Sequence, residues 1–159
     1  MKPEAKLSMR KHIHEEEFPV SPEKMFTILH TPSAICRWWG ASRAIVLPEK
    51  NGVWIAAWGE NIDEPDYISS FVIKHFEPSK RLFLTDAKYF AKTGQPPFEA
   101  QMTTEFIIEP TEKGCLLRVI QDGFPCEAIA DDFYSACDTG WRNTFAGIRQ
   151  FFSTESTAK

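Results

Sequence analysis

Four titratable side chains have the type and placement that acid–base chemistry would need. Glu105 and His75 fall on predicted strands, while Asp86 and Tyr89 stand at the start of a connection between strands. A carboxylate, imidazole or phenol that faces an apolar cavity takes a shifted pKa and can then move a proton. These four residues are therefore the candidate catalytic residues of a cyclase, dehydratase or hydrolase.

Each of these candidates also has a structural interpretation. Alternation along the strands places Glu105 and Arg118 on the face opposite Phe106, so a surface ion pair between them is the default expectation. A slip of one residue in the strand register would instead bury Glu105 as a candidate general base. His75 fits a structural histidine of a central strand, and the other two candidates could line the mouth of a pocket.

Metal binding has a weaker signal in this sequence. His12 and His14 share one face of the first predicted strand, and two histidines can begin a metal site. No third ligand is apparent near them along the chain, so we expect exposed strand histidines, no metal site and no cofactor. The cysteines form no C-x-x-C pair, which favours reduced, buried thiols. They are Cys36, Cys115, Cys126 and Cys137.

The sequence lacks the signatures of several large functional classes. It contains no Gly-rich phosphate loop, nucleophile elbow, H-E-x-x-H motif or Rossmann fingerprint, which lowers the expectation of an enzyme. A net charge of −4 argues against nucleic-acid binding. Apolar runs are shorter than the ~18 residues of a membrane span, and the first residues lack a secretory signal. These features predict a cytoplasmic protein without a membrane span.

Local signals predict two short helices near the start of the chain and a long helix at its end. Ser21-Pro22-Glu23 opens the first helix, Thr31-Pro32 opens the second and Gly40 ends it. The long helix shows an apolar stripe about five turns long. The stripe contains Phe133, Cys137, Trp141, Phe145, Ile148 and Phe152. Small residues run beside it, at Ala136, Gly140 and Gly147.

The segment between these helices reads as antiparallel strands. Alternation and turn residues predict strands at 10–18, 44–47, 53–58, 67–76, 81–85, 102–109 and 115–121. Residues 86–100 are predicted to be a long connection, and Asp122-Gly123 is predicted to end the last strand. The chain is expected to form one domain over residues 10–152, with flexible termini at 1–9 and 153–159.

Several strand faces and the helix stripe predict a shared interior. It is either a filled core or the wall of a small-molecule pocket, because both use aromatic surfaces with few polar groups. The indole N–H of Trp141 needs a partner if it is buried, and Gln121 or Thr104 could accept it. The candidate ligand-binding residues are Trp54, Trp58, Thr104, Phe106, Leu117, Val119, Gln121, Trp141 and Phe145.

The order of these parts resembles the START-like (SRPBCC) helix-grip superfamily. Within it, the chain is similar to the group named after the activator of the heat-shock-protein-90 ATPase. The residues that carry the resemblance are Ser21-Pro22-Glu23-Lys24-Met25-Phe26, Arg37-Trp38-Trp39-Gly40, Asn51-Gly52-Val53-Trp54, Phe76-Glu77-Pro78-Ser79-Lys80-Arg81-Leu82, Gly114-Cys115-Leu116-Leu117, Asp122-Gly123-Phe124 and Gly140-Trp141. Two features depart from the group: Asn51 replaces the first of a common glycine pair, and the 86–100 connection is long.

The resemblance implies an α+β helix-grip fold. A curved, seven-stranded antiparallel sheet would wrap around the helix at 127–152, with two short helices after the first strand. It also implies a cavity between sheet and helix for an apolar or amphipathic small molecule. Because a fold does not determine a function, the chemistry of that cavity stays open.

Three functions are consistent with this sequence. The first is binding of a small hydrophobic or amphipathic ligand without a defined chemistry. The second is an acid–base enzyme of cyclase, dehydratase or hydrolase type in the same cavity. The third is a module that interacts with the heat-shock-protein-90 chaperone, as the name of the group suggests. Such a module would need an exposed apolar patch on the outer face of the sheet or around Trp38-Trp39. In each case we expect a monomer or a weak homodimer.

Overall fold

One antiparallel sheet and a long final helix dominate the computed structural model, which describes residues 9–96, 98 and 100–157. The strands are β1 (Met9–Phe18), β2 (Arg43–Val46), β3 (Val53–Trp58), β4 (Tyr67–Glu77), β5 (Arg81–Ala91), β6 (Thr103–Pro110) and β7 (Cys115–Pro125). The helices are α1 (Pro22–His30), α2 (Pro32–Trp39) and α3 (Asp131–Thr157), with a 3-10 turn at Ala128–Ala130 before α3.

The strands follow the order β1-β7-β6-β5-β4-β3-β2 in a seven-stranded sheet, and each neighbouring pair is antiparallel. The sheet curves around α3. The ring of Trp141 on α3 meets Phe106 on β6 edge-on at 6.0 Å, and Phe145 stacks on Phe18 of β1 at 6.1 Å. The predicted fold class, an α+β helix grip with two short helices after the first strand, is confirmed.

The two short helices begin and end where the sequence predicts. The hydroxyl of Ser21 accepts a hydrogen bond from the backbone N–H of Lys24 at 3.1 Å, and Pro22 is the first helical residue. Thr31 has an extended backbone and separates α1 from α2 by a single residue. Gly40 then ends α2 with φ of 74°, a left-handed conformation that glycine adopts without strain.

Two strands are longer than the sequence predicts. β5 continues through Ala91 instead of ending at Thr85, because Asp86 forms a bulge with φ of 53° and the pairing with β4 resumes beyond it. β7 continues to Pro125 through Gly123, whose φ of 95° bends the strand without ending its pairing with β1. The long connection predicted at 86–100 is therefore wrong for residues 86–91, which are strand.

The last helix is shifted relative to the expected range 127–152, because it begins at Asp131 and continues through Thr157. The sequence interpretation placed residues 153–159 in a flexible tail, but residues 153–157 are helical. Glu155 lies 3.3 Å from the ammonium group of Lys24, and the guanidinium of Arg37 lies 4.4 Å from the centre of the Phe151 ring. These contacts tie the last turns of α3 to α1 and α2. Residues 158 and 159, and residues 1–8 of the predicted N-terminal arm, lie outside the described residues.

Polar and charged side chains join edge strand β1 to α3. Arg10 pairs with Asp131 at 2.6 Å, His14 lies 3.1 Å from Asp138, and Arg149 pairs with Glu16. Exposed ion pairs contribute little individually, but they fix which residues of the strand and the helix face each other. Within the described ranges, no helix combines the length and the apolar content that crossing a membrane requires.

Gly147 lets α3 pack directly against the backbone of α2. A Cβ atom at this position would overlap the backbone carbonyl oxygen of Trp38, so a larger residue would push the two helices apart. At Gly140, two turns earlier, a Cβ atom would meet no atom within 4 Å. The two glycines inside α3 therefore have different roles. Gly147 permits close contact with α2, whereas Gly140 leaves open space.

We predict opposite effects of alanine at these two glycines. Gly147→Ala should lower the free energy of unfolding by about 1–3 kcal/mol, because overpacking forces the backbone to move. Gly140→Ala should raise it by up to about 1 kcal/mol, because alanine favours the helix and meets no obstacle. Urea denaturation of both variants and the wild type measures these changes. Equal changes of the same sign in the free energy of unfolding would contradict the different roles of the two glycines.

Candidate functional site

A cavity of about 510 Å³ lies between the concave face of the sheet, α2 and α3. The sheet contributes Trp54, Trp58, Tyr67, Ser69, Phe71, Leu84, Tyr89, Thr104, Phe106 and Gln121. The helices contribute Trp38, Trp39, Phe133, Ala136, Cys137, Gly140, Trp141 and Thr144. All of these residues are described by the structure, and none of them carries a formal charge at neutral pH. The site is suited to an uncharged, largely apolar molecule.

Two indoles of the wall, Trp38 and Trp54, donate their N–H groups to backbone carbonyls outside the cavity. The N–H of Trp38 donates to the carbonyl of Ile28 at 2.8 Å, and the N–H of Trp54 donates to the carbonyl of Leu29 at 2.9 Å. Trp39 packs between Trp54 and Trp58, with ring centres 5.5 Å and 4.8 Å away. Because these hydrogen bonds are made outside the cavity, the indole surfaces that face it are apolar.

One polar pair stands out inside this apolar wall. The indole N–H of Trp141 on α3 donates to the side-chain oxygen of Gln121 on β7 at 2.5 Å, as the sequence predicts. Both side chains are buried. Gln121 lies directly opposite Thr104 in the β6–β7 register, so these two polar side chains of the wall are neighbours. Such a small polar group can orient a ligand in an otherwise apolar site.

Burial raises the pKa of two titratable groups in the cavity wall, Cys137 and Tyr89, and so favours their neutral forms. Burial raises the pKa of the Cys137 thiol to about 12. Burial also raises the pKa of Tyr89, the nearby Cys137 adds to that shift, and interaction with Gln121 opposes it. A neutral phenol and a neutral thiol can donate hydrogen bonds, but neither acts as a base or a nucleophile without losing its proton.

Gly140 makes room beside Trp141. It lies in the cavity wall, and no atom lies within 4 Å of the point that its Cβ would occupy. Ala136, one turn earlier, also lines the cavity. The large indole of Trp141 and the missing side chain of Gly140 therefore border an open space.

Six of the nine predicted ligand-binding residues face this cavity, and three do not. The six are Trp54, Trp58, Thr104, Phe106, Gln121 and Trp141. Leu117 and Val119 come earlier in β7 and are fully buried in the core, so this strand reaches the cavity only at Gln121. Phe145 stacks on Phe18 one turn beyond Trp141, where aromatic side chains fill the interior.

Glu105 does not face the cavity, and its expected ion pair is wrong. Its carboxylate pairs with the guanidinium of Arg81 on the neighbouring strand β5. Arg118 instead pairs with Glu15 at 2.9 Å and Glu109 at 3.3 Å. The reason is the register: Arg118 lies opposite Ile107, so strand β1 and the end of β6 supply its partners.

The other catalytic candidates divide between the outer face and the cavity. His75 stacks on its cross-strand neighbour Phe83, with ring centres 5.7 Å apart. Asp86 is exposed, and its carboxylate accepts a hydrogen bond from the Thr85 hydroxyl at 2.9 Å. Tyr89 is the member of the four that lines the cavity.

Sequence reasoning missed part of the wall. From the sequence, Trp38 and Trp39 are noted only for the resemblance and for a possible exposed patch, yet both border the cavity, and Trp39 also packs against β3. Phe71 and Leu84 were also missed, although they follow from the same alternation that identified Trp54. Phe133 was noted only as part of the helix stripe.

A second group of polar side chains lies where β1 crosses α3. His12 and His14 were expected to be exposed, but the side chains are only 7% and 14% exposed because both face the helix. Asp138 of α3 joins them, with its Oδ1 atom 3.6 Å from His12 Nδ1 and 3.1 Å from His14 Nε2. Burial is the main reason that the pKa of His14 is lowered, although Asp138 opposes the shift.

Solved structures show the same fold. A protein from Mesorhizobium loti matches with a TM-score of 0.73 and 22% identity, covering 91% of this chain and 98% of its own. One from Rhodobacter sphaeroides matches with a TM-score of 0.72 and 17% identity, covering 92% and 99%. The Aha1 dimer from Colwellia psychrerythraea matches with a TM-score of 0.66 and 15% identity, covering 88% and 93%. At these identities the likeness concerns the fold alone.

Sequence comparisons give the family. No curated protein matches the chain at a significant level. The family model for activator of Hsp90 ATPase homolog 1-like proteins matches residues 19–153, which include both short helices, strands β2 to β7 and most of α3. The chain therefore belongs to the family of activator of Hsp90 ATPase homolog 1-like proteins.

Proposed function

We propose that this protein binds a small, uncharged and largely apolar molecule in the cavity between the sheet and α3. The observation that carries the proposal is the cavity wall, which is made of aromatic surfaces with one small polar group at Gln121. The volume of about 510 Å³ lies within the roughly 300–1,000 Å³ typical of ligand pockets. Flat aromatic walls favour a ligand with a flat apolar part.

The neutral character of the wall narrows the class of ligand. A charged ligand would lose its hydration without gaining an opposite charge among the lining residues that the structure describes, which is costly. Gln121 and Tyr89 supply hydrogen-bonding groups at one part of the wall. The ligand therefore carries at most a few uncharged polar groups, which would lie near these two side chains.

Filling the space at Gly140 should weaken ligand binding. We expect the wild type to bind the neutral fluorescent probe N-phenyl-1-naphthylamine saturably, at one molecule per chain. Gly140→Leu should reduce the affinity at least about tenfold, because its side chain occupies the volume next to Trp141. Fluorescence titration with the probe measures both affinities.

The matched control adds the same residue type on the outside of the same helix. Asn143→Leu lies on the exposed face of α3 and should bind the probe like the wild type. A wild type that takes up no probe, or a Gly140→Leu variant that binds it with unchanged affinity, would refute the cavity as the binding site. Circular dichroism establishes that both variants are folded.

Cys137 should react slowly with thiol reagents although it borders the cavity. At pH 8 a pKa of about 12 leaves it with about a thousandfold less thiolate than a thiol at the ordinary value of 9.0. We expect iodoacetamide to modify the exposed Cys126 first and Cys137 at least about tenfold more slowly. Peptide mass spectrometry over a time course gives both rates, and equal rates would show that the thiol is not desolvated.

An interaction with an Hsp90 chaperone is the second candidate function, supported by family membership. An exposed apolar patch on the outer face of the sheet, at edge strand β2, is a second observation in favour of this function. Its residues Ile45, Leu47 and Val53 are 59%, 51% and 39% exposed. If this patch binds the chaperone, the protein should raise the chaperone's ATPase rate and Ile45→Lys should abolish the increase. An unchanged rate with the wild type would remove this candidate.

An acid–base enzyme has less support than either candidate. Of the four proposed catalytic side chains, Tyr89 alone borders the cavity, and its raised pKa keeps the phenol protonated near neutral pH. A protonated phenol could donate a hydrogen bond to a ligand. It lacks a basic partner among the cavity-lining residues that the structure describes, so we propose binding without chemistry.

A further inference from the structure

We propose that His12, His14 and Asp138 form a binding site for a divalent transition-metal ion of the zinc type. The site lies where edge strand β1 crosses α3, and none of its three residues borders the ligand cavity that the structure describes. It would therefore be independent of the ligand proposed above. Two imidazoles and one carboxylate are the ligand types found in many zinc sites with an open fourth position.

The ligand atoms already have nearly the spacing that a metal ion requires. Two ligands bound to zinc at 2.0–2.1 Å with a tetrahedral angle are about 3.3 Å apart. Asp138 Oδ1 lies 3.6 Å from His12 Nδ1 and 3.1 Å from His14 Nε2, on either side of that value. One donor atom from each of the three residues lies within 4.8 Å of the others, so small side-chain movements would complete the coordination.

His12 is held in the tautomer and the orientation that metal binding needs. Its Nε2 atom lies 2.6 Å from the carbonyl oxygen of Tyr134, which can only accept, so Nε2 carries the proton and Nδ1 keeps its lone pair. The ring stacks on Tyr134 at 3.7 Å and meets Phe124 edge-on at 5.2 Å. A histidine ligand whose second nitrogen donates to a backbone carbonyl is a recurrent arrangement around metals.

The carboxylate of Asp138 is also held in position by a second contact. Its Oδ2 atom pairs with the guanidinium of Arg142 at 3.0 Å, one turn further along α3. Its Oδ1 atom is left facing both histidines. Asp138 is 30% exposed at the side chain, so solvent reaches the site and water could complete the coordination.

The strongest sign of a missing partner is at His14. Its Nε2 atom is buried and, among the described residues, makes no hydrogen bond of normal geometry, although Asp138 Oδ1 is 3.1 Å away. It is the one buried side-chain nitrogen or oxygen in the described ranges that lacks such a hydrogen bond. Buried polar atoms are almost always satisfied, and a metal ion between the two atoms would satisfy both.

The donor set also indicates which ions would bind. Imidazole nitrogen suits zinc, cobalt, nickel and copper, whereas magnesium and calcium prefer sites built from oxygen atoms. A metal ion here would join the strand at one edge of the sheet to the helix that the sheet encloses. It would thus add a further link between β1 and α3, beside the ion pairs of Arg10 with Asp131 and of Arg149 with Glu16.

The test uses the full-length chain without an affinity tag, stripped of metal by a chelator and carrying Cys126→Ser to remove the exposed thiol. Isothermal titration with Zn²⁺ should show one ion per chain, and Mg²⁺ should show none. Co²⁺ should produce the visible absorption of a low-coordinate site with nitrogen and oxygen ligands. Asp138→Asn and His14→Gln should each weaken Zn²⁺ binding at least about tenfold, while His75→Gln on the outer face should leave it unchanged.

Two results would overturn the proposal. The first is the absence of stoichiometric Zn²⁺ binding by the wild-type site. The second is undiminished binding by Asp138→Asn, which keeps the shape of a partly exposed side chain and so preserves the fold. Failure of the naphthylamine probe to bind would leave the metal site unaffected, because the two sites share no residue.

Discussion

The carbonyl groups at the end of α1 are the constraint on which the rest of the structure depends. The last four carbonyls of a helix have no partner within it, and leaving them buried and unpaired would be costly. Here Trp38 of α2 and Trp54 of β3 donate to the carbonyls of Ile28 and Leu29. These two hydrogen bonds satisfy the carbonyls at the end of α1 and join that helix to both α2 and the sheet. Removing either indole would expose a buried carbonyl and also remove part of the cavity surface.

The sequence predicts well those features that depend on neighbouring residues. Ser21, Pro22 and Gly40 mark helix ends through local capping and backbone preference, and the structure agrees at each. Local signals mislead where strand pairing overrides them. Asp86 and Gly123 look like strand breakers, but long partner strands keep the chain in the sheet around a bulge and a bend.

The candidate site depends more strongly on distant residues, so less of it could be predicted. Alternation identifies which strand residues face inward, but it does not tell how far along each strand the packed core ends and the open space begins. That limit explains why Gln121 borders the cavity and Leu117, on the same face of β7, does not. The meeting of His14 with Asp138 needs the relative position of β1 and α3, which no periodicity along one element contains.

Gly140 has a consequence for the energetics of the whole chain. A glycine within a helix costs about 1 kcal/mol relative to alanine, and a Cβ at this position would meet no atom within 4 Å. A ligand that filled this space would gain contacts in the folded state that the unfolded state does not offer. If the proposed ligand binds, it would therefore stabilise the folded state relative to the empty form. In a cell, the amount of folded protein would then report the supply of its ligand.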